Sequence, residues 1–147
     1  MLKAGATDTA TLLRAAARFR YGLRQFLRFS EQAARRQGLT PQQHQLLLGI
    51  AGFTGRGEAT ISELSEFLQE RHNATVGLVQ RAERLGLVKK QGDLKDRRRV
   101  NVTLAPRGRQ LLLKLTAEHG NEWQRLQQEL AGLPPAPAGH ETEESES

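Results

Sequence analysis

One apolar stripe with helical spacing runs along the first forty residues of the chain. Apolar residues recur every three or four positions from Leu12 to Ala33, which predicts one amphipathic helix over about residues 9 to 37. Asp8 stands where an N-cap is expected, and Gly38 stands where a helix commonly ends. A helix of that length extends about 45 Å, which is more than a small domain needs. We therefore expect part of its stripe to pack outside the core, for example against a second subunit.

Two abrupt helix starts follow the first helix. The segment "TPQQ", residues 40–43, offers a threonine N-cap, a proline at the first helical position and a glutamine that completes a capping box. It predicts a short buried helix, after which the glycine-rich "GFTGRGEAT" is expected to form a loop. Thr60 and Glu63 fit a second capping box, although Ser62 is a rival N-cap. A second short helix is therefore predicted over "ISELSEFLQ".

A third helix is predicted from about Asn73 to Leu85, after the polar break "ERHN". Its expected buried side consists of Val76, Leu78, Val79 and Ala82. Its expected exposed side consists of Asn73, Gly77, Gln80, Arg81 and Arg84. A short helix, a tight turn and a second helix form a helix-turn-helix, and the second helix of that motif fits the major groove of DNA.

The hydrophobic period changes from that of a helix to that of a strand after residue 86. Residues 87–91 and 99–104 are predicted strands, joined by a tip at residues 92–98. A hairpin directly after a helix-turn-helix corresponds to the wing of a winged helix. A last long helix is predicted over about residues 106 to 131, because leucines and Trp123 recur on one of its sides.

These elements predict a mainly α fold of the α+β class, a winged helix-turn-helix with long N- and C-terminal dimerisation helices. The winged helix is expected over about residues 40–105, and the dimerisation helices over about 9–37 and 106–131. Together they make a single domain over residues 9–131, preceded by a flexible N-terminus at residues 1–8. Residues 132–147 are rich in Pro, Ala, Glu and Ser and cannot bury enough apolar surface to fold, so we expect a disordered acidic tail.

Positive charge is concentrated in the predicted domain. The 147 residues include 22 Lys and Arg against 16 Asp and Glu, a net charge of +6. Four glutamates lie in the tail, so residues 1–131 carry 22 basic and 12 acidic side chains, a net of +10. Such a domain attracts polyanions, of which nucleic acid is the first candidate and an anionic membrane surface the second. The arginines Arg97–Arg99 at the hairpin tip would neutralise phosphates or enter a narrow minor groove, but taken alone they equally fit a solvated turn.

Several classes of protein are disfavoured by what the sequence lacks. It contains no cysteine, which excludes disulfides, a thiol nucleophile and thiolate metal sites and is compatible with a reducing cytoplasm. Its four histidines are far apart, so no metal site is predicted. It has no G-x-S-x-G elbow, P-loop or G-x-G-x-x-G turn, no apolar run long enough for a membrane span and no secretory signal. We therefore expect a cytoplasmic protein that is not an enzyme and needs no cofactor.

The stretch "TISELSEFLQERHNATVGLVQRAERLGLVKKQGDLKDRRRVNVTLAPRGRQLL" resembles the winged helix of the MarR family of bacterial transcription regulators. The segment "LTPQQHQLLLGI" resembles the helix that precedes it, and the resemblance covers about residues 10 to 130. Its most specific part is G-L-V, a short gap, D-R-R, alternating apolar residues and then L-x-P-x-G-R-x-L-L. The resemblance implies a cytoplasmic homodimer with interleaved terminal helices that binds a pseudo-palindromic DNA site and is often released by a small ligand.

Several residues match positions that bind DNA in this family. An acid in the family's wing orients an arginine that enters the minor groove, and Asp96 and Arg98 stand at those positions here. The start of the second helix reads base edges, and Asn73 is the best candidate because asparagine can pair with adenine through two hydrogen bonds. The expected DNA-binding residues are Ser62, Ser65, His72, Asn73, Thr75, Arg81, Arg84, Asp96, Arg97, Arg98 and Arg99.

Three positions depart from the common family pattern. Gly77 replaces an arginine or another polar residue and costs the helix about 1 kcal/mol. Gln80 stands where the family often has an aspartate that ties the helix to the wing. Ala105 stands where a threonine or serine commonly caps the last helix, which weakens that cap.

Two further sets of residues are assigned from the sequence. The expected dimer interface consists of Leu12, Phe19, Leu115, Trp123 and Leu126. A small-molecule pocket between the dimerisation helices and the winged helix would be lined by Phe26, Phe29, His44 and Phe53, although these residues equally fit an ordinary core. The acidic tail would either compete with DNA for the wing or only increase solubility.

The function predicted from the sequence is that of a sequence-specific DNA-binding transcription regulator, a repressor that binds a pseudo-palindromic operator as a homodimer and is released by a small ligand. The alternative is a winged helix used for protein–protein contact without specific DNA binding. That alternative predicts an apolar exposed side on the second helix, and Gln80, Arg81 and Arg84 argue against it.

Overall fold

The computed structural model of the chain describes residues 8–92, 96 and 99–134. The helices are α1 Thr9–Arg36, α2 Pro41–Leu48 with a π-helical turn at Gly49–Phe53, α3 Ile61–Leu68, α4 His72–Arg84, α5 Pro106–Glu118 and α6 Gly120–Ala131. The strands are β1 Glu58–Thr60, β2 Val88–Gly92 and β3 Val100–Leu104. This order confirms the predicted, mainly helical winged-helix fold. Residues 1–7 of the predicted flexible N-terminus and residues 135–147 of the predicted tail lie outside the described residues.

Two compact units make up the described part of the chain. One consists of residues 8–27 and 122–134 and is called the terminal unit below. The other consists of residues 28–121 and contains the winged helix. Helix α1 contributes residues to both units.

The hydrophobic core lies in the winged-helix unit, where every helix from α2 to α5 contributes buried side chains. Its largest fully buried apolar side chains are Leu46, Leu47, Ile50, Leu64, Val79, Leu87, Val88, Val102 and Leu115. The burial of Leu115 corrects one prediction from the sequence. Leu115 was assigned to a dimer interface, but its exposure is 0 % and its side chain packs inside its own unit. The apolar stripe on α5 therefore serves the core at this position.

Local capping interactions confirm where the helices begin and end. Thr40 and Thr60 each accept a hydrogen bond from the backbone three residues on, and both capping boxes are complete. The cap of α3 is therefore Thr60 and not its rival Ser62. Asp8 accepts a bond from the backbone N–H of Thr11 at 2.7 Å at the start of α1. Gly38 ends α1 with a φ of +77°, a conformation that glycine adopts readily.

A three-stranded antiparallel sheet in the order β1-β3-β2 stands beside the helices. The hairpin of β2 and β3 is the predicted wing, with Val88 opposite Leu104 and Gly92 opposite Val100. Strand β1 was not predicted, since three residues of a glycine-rich segment carry no periodic signal. It forms because β3 has a second edge to pair, and Ala59 lies opposite the buried Val102.

The last helix is not continuous as the sequence predicted. Helix α5 ends at Glu118 and α6 begins at Gly120. At the break, the backbone N–H of His119 bonds to the carbonyl oxygens of both Leu115 and Thr116, which tightens the final turn of α5. A glycine directly after this turn lowers the local helix propensity. The apolar spacing continues across the break, so the period alone did not reveal it.

Few side chains of the terminal unit are buried. Helix α6 has no buried residue, and its Trp123 ring meets the Phe26 ring edge-on with centroids 6.3 Å apart. Gly22 of α1 is buried beneath Glu129 and Leu126. Large apolar side chains remain exposed on the surface of this unit, namely Leu13, Phe19, Tyr21, Leu23, Leu27, Trp123 and Leu130.

The packing of α5 against the start of β2 leads to a first prediction. The backbone N–H of Ala105 donates to the carbonyl oxygen of Leu87 at 2.9 Å, and a Cβ added to Gly108 would overlap that same carbonyl. Backbone atoms cannot easily yield, so Gly108→Ala should lower the free energy of unfolding by about 1–3 kcal/mol. Urea denaturation of the wild type and the variant measures this difference in the free energy of unfolding.

The matched control is Gly120→Ala, where an added Cβ meets open space. It should leave the free energy of unfolding unchanged or raise it slightly, because alanine favours a helix. Equal stability of the two variants would contradict the close packing of α5 on β2.

Candidate nucleic-acid interface

A turn of three residues, Gln69 to Arg71, joins α3 to α4. Gln69 adopts the left-handed conformation with a φ of +53°, which reverses the chain after α3. Its side-chain amide donates to the carbonyl oxygen of Glu66 at 2.7 Å, and the backbone N–H of Glu70 donates to Ser65 at 3.0 Å. These bonds satisfy carbonyls that the end of a helix leaves open. The turn thus holds α3 and α4 as a helix-turn-helix.

Two hydroxyl groups connect the helices on the inner side of this turn. Ser65 Oγ donates to Thr75 Oγ1 at 3.0 Å, and Thr75 Oγ1 in turn donates to the carbonyl oxygen of Arg71 at 3.1 Å. Thr75 is only 1 % exposed and Ser65 is half-buried. The predicted DNA contact of Thr75 is therefore wrong, because its side chain is buried between the helices and its hydroxyl is used there. Thr75 positions α4 instead.

The other predicted residues of α4 lie on its exposed side. His72, Asn73, Arg81 and Arg84 are exposed, as is Gln80, whereas Leu78, Val79 and Ala82 are buried on the opposite side. Gly77 lies among the exposed residues, and a Cβ there would stand 3.2 Å from Nη1 of Arg81. The guanidinium of Arg81 therefore lies beside the open backbone at Gly77. This polar surface has the shape and chemistry that suit a DNA groove.

A cleft of about 350 Å³ brings the helix-turn-helix and the wing together. Its lining comes from the start of α3, the start of α4 and both strands of the wing, and consists of Thr60, Ile61, Ser62, His72, Val76, Lys90, Arg99 and Val100. Of the residues predicted to bind DNA, the cleft unites Ser62, His72 and Arg99. Sequence reasoning missed Lys90, although strand β2 carries it directly beside the predicted hairpin tip.

The electrostatics of this cleft favour an anion. Lys90 and Arg99 are its cationic side chains, and the N-terminal ends of α3 and α4, which carry partial positive charge, border it. Lys90 Nζ lies 3.5 Å from a carboxylate oxygen of Glu83, an exposed pair that holds the ammonium weakly. The nearby carboxylate of Glu63 is bound by Arg56 at 2.7 Å, and that guanidinium lowers the pKa of Glu63. Its negative charge is thereby offset.

The wing tip is described only in part. Asp96 is exposed, and its backbone carbonyl accepts a hydrogen bond from the N–H of Arg99 at 3.0 Å. Arg97 and Arg98, which the sequence assigns to DNA contact, lie outside the described residues. The orientation of an arginine by Asp96 therefore stays a prediction.

Three of the residues assigned to a ligand pocket, Phe29, His44 and Phe53, lie in the winged-helix unit, where they take part in two separate sets of ring contacts. His44 is buried in the winged-helix unit, where its ring lies 5.4 Å from the His119 ring, and Phe29 meets His119 edge-on at 5.2 Å. Phe53 packs instead against Phe67, with ring centroids 5.3 Å apart, and Phe26 belongs to the terminal unit. Burial, and then the neighbouring His119, lower the pKa of His44. Within the described residues, no group of three or more metal-ligating side chains could hold a metal ion.

Residues 37–99, which include this helix-turn-helix and most of the wing, match the family model described as "MarR family". Over these residues the chain is similar to the MarR family. No curated protein has a sequence that matches it significantly. No helix within the described ranges is both long and apolar enough to pass through a bilayer.

Solved structures of MarR proteins share the fold. A MarR family protein from Bacillus stearothermophilus is 22 % identical with a TM-score of 0.69, covering 88 % of this chain and 86 % of that one. A MarR mutant from E. coli, complexed with operator DNA, is 19 % identical with a TM-score of 0.63, covering 84 % and 88 %. A MepR mutant from S. aureus, bound to an oligodeoxyribonucleotide, is 20 % identical with a TM-score of 0.61, covering 84 % of both chains. At these identities, the likeness concerns the fold.

The buried role of Thr75 can be tested with Thr75→Val, which keeps its shape and removes its hydroxyl. Ser65 would lose an acceptor but can still donate to the carbonyl oxygen of Ile61, 2.9 Å away. We expect the free energy of unfolding to fall by about 1 kcal/mol, the usual value of one hydrogen bond, as measured by urea denaturation.

Thr116→Val is the matched control, since Thr116 is exposed and donates only within its own helix. Its effect should stay within about 0.5 kcal/mol. Unchanged stability of Thr75→Val combined with altered base preference would contradict the positioning role.

The lowered pKa of His44 makes stability depend on pH. The unfolded chain, in which this histidine has its ordinary pKa near 6.5, binds a proton more readily than the folded chain does. The free energy of unfolding should therefore decrease as the pH falls below about 6.5, by at most about 1.4 kcal/mol per pH unit from this group. His44→Gln should reduce that slope, whereas His72→Gln, which removes an exposed imidazole, serves as the control. Equal slopes for both variants would refute the assignment.

Proposed function

We propose that this protein is a sequence-specific DNA-binding transcription regulator that acts as a homodimeric repressor. The observation that carries the proposal is the cleft in which the starts of α3 and α4 meet both strands of the wing, with Lys90 and Arg99 in its lining. Helix α4 offers its exposed polar side next to this cleft. One element would enter the major groove while the wing follows the adjacent backbone.

The division of labour between the exposed residues follows from their chemistry. Asn73 and His72, at the start of α4, have short polar side chains that suit hydrogen bonds to base edges. Arg81, Arg84 and Arg99 carry full charges on long side chains, which suit contacts to phosphates. Base contacts would set the preferred sequence, and phosphate contacts would set affinity and its dependence on salt. The two DNA-bound relatives described above support this use of the shared fold.

A homodimer is supported by the surface of the terminal unit. Leu13 is 66 % exposed and Trp123 is 53 % exposed, and further apolar side chains accompany them on α1 and α6. Phe19, from the predicted interface, is also exposed, whereas Leu12 and Leu126 are half-buried. Burying such side chains against a second copy would remove an unfavourable apolar surface from water. Two copies related by a two-fold axis would bind a pseudo-palindromic operator.

Release by a small ligand would act through the spacing of the two α4 helices. In a dimer these helices must lie about one DNA turn apart, so a ligand that stabilises another spacing would reduce the population able to bind. The aromatic group formed by Phe29, His44 and His119 is the candidate location in the winged-helix unit. Occupancy of a promoter by the dimer would then repress transcription until the ligand binds.

Selection of binding sites from random duplex DNA tests the proposal. The purified protein should enrich a two-fold symmetric motif whose half-sites are about 10 base pairs apart, one helical turn. Asn73→Ala should relax the preference at one position of each half-site, with a cost of about 1–3 kcal/mol for the preferred base. The matched control, Asn121→Ala, removes an exposed asparagine outside the cleft and should select the wild-type motif.

The opposite results are equally informative. If no motif is enriched and binding disappears at moderate salt, only unspecific charge attraction remains, and the winged helix would serve a protein partner instead. If a motif is enriched but Asn73→Ala selects it unchanged, the regulator is supported and Asn73 is removed as a base reader.

A further inference from the structure

Four arginines form a cationic side on the part of α1 that belongs to the terminal unit. Arg14, Arg18, Arg20 and Arg24 are all exposed. At 100° per residue, their positions fall within less than half of the helix circumference. Phe19, Leu23 and Phe26 lie on the other side. We call this set the α1 arginine side.

The α1 arginine side is available for an anion. None of the ion pairs found among the described residues involves these four arginines. All the basic residues of α1 are arginines, and none is a lysine. The planar guanidinium group binds carboxylates and phosphates through two parallel hydrogen bonds, which a lysine cannot form. A surface whose cations are all arginines therefore suits a partner that carries carboxylates or phosphates.

The acidic C-terminal segment of the chain begins close to the α1 arginine side. After α6 ends at Ala131, Gly132 and Leu133 line a cleft of about 250 Å³ together with Arg18, Gln128 and Glu129. The polypeptide that continues from Leu133 thus starts beside one of the four arginines. It carries no Lys or Arg, and it includes the glutamates Glu141, Glu143, Glu144 and Glu146.

We propose that this acidic segment, residues 140–147, binds along the α1 arginine side of its own chain. The eight residues that follow Leu133, up to and including Glu141, can span up to about 27 Å, whereas Arg14 and Arg24 are separated by about 15 Å along the helix. The glutamates therefore reach all four arginines. Because the partner is tethered, its effective concentration is high even though each exposed ion pair is weak.

The four arginines are not part of the proposed DNA site. The four arginines belong to the terminal unit, and none of them lines the cleft between the helix-turn-helix and the wing. The acidic segment would neutralise a second cationic surface and reduce unspecific binding of polyanions there. It would leave the cleft open to an operator.

A spin label on the segment tests the contact directly. The chain has no cysteine, so His140→Cys provides a unique site for a nitroxide in the full-length protein. At low ionic strength, the backbone amide signals of residues 14–24 should be strongly attenuated in spectra of the isotope-labelled protein. High salt should restore them, because it screens exposed charges.

Two matched variants carry the same label. Replacing the four segment glutamates by glutamine should abolish the attenuation, whereas replacing them by aspartate, which keeps the charge, should preserve it. Duplex DNA, added in a separate titration, provides a rival polyanion.

Several outcomes would overturn the proposal. Unaffected amides in residues 14–24, attenuation that survives the glutamine replacements, or attenuation confined to α4 and the wing would each do so. Attenuation in a mixture of isotope-labelled and separate spin-labelled chains would assign the segment to a second copy. If the amide signals of residues 14–24 are not attenuated by the spin label but shift when duplex DNA is added, the arginines bind nucleic acid and not the acidic segment.

Discussion

The burial of one side of α4 determines what the rest of this helix can do. Leu78, Val79 and Ala82 are anchored in the core, and Thr75 bonds to Ser65 of α3 on the same side. A helix is rigid over this length, so fixing one side directs every side chain on the other. Asn73 consequently faces outward, because Thr75, two residues along and on the opposite side of the helix, is buried. The exposed chemistry of the candidate interface thus depends on apolar packing that never contacts a ligand.

A second constraint joins the wing to the helix that follows it. The carbonyl oxygen of Leu87, at the start of the hairpin, is bonded to Ala105 and covered by Gly108. A side chain at residue 108 would push α5 away from the hairpin. Lys90 lies in β2 and Arg99 directly precedes β3, and both side chains line the cleft. The contact at Leu87 therefore also helps to position these two cations. Ala105 offers no side-chain cap to α5, and Pro106 at the first helical position compensates in part.

Features that depend on residues close together in the sequence were predicted, whereas features that depend on residues far apart in the sequence were missed. The capping boxes at Thr40 and Thr60 and the positive φ of Gly38 depend on neighbouring residues, so short motifs revealed them. Strand β1 exists only through its pairing with β3, and no local pattern encodes that partner. Thr75 was within reach of sequence reasoning, because the helical period places it beside Leu78 and Val79. Its polar side chain led to the opposite, and wrong, assignment.

Helix α1 combines two requirements that conflict in a monomer. Its exposed aromatic and leucine side chains favour a partner, and its arginines favour anions. On this helix the two requirements are separated only in part: Phe19, Leu23 and Phe26 lie opposite the arginines, whereas the exposed Leu13 and Tyr21 fall among them. An apolar contact made by the side that carries Phe19, Leu23 and Phe26 can form without burying a guanidinium group, which would cost several kcal/mol if unpaired. The arginines then stay accessible to carboxylates or phosphates when that side is covered.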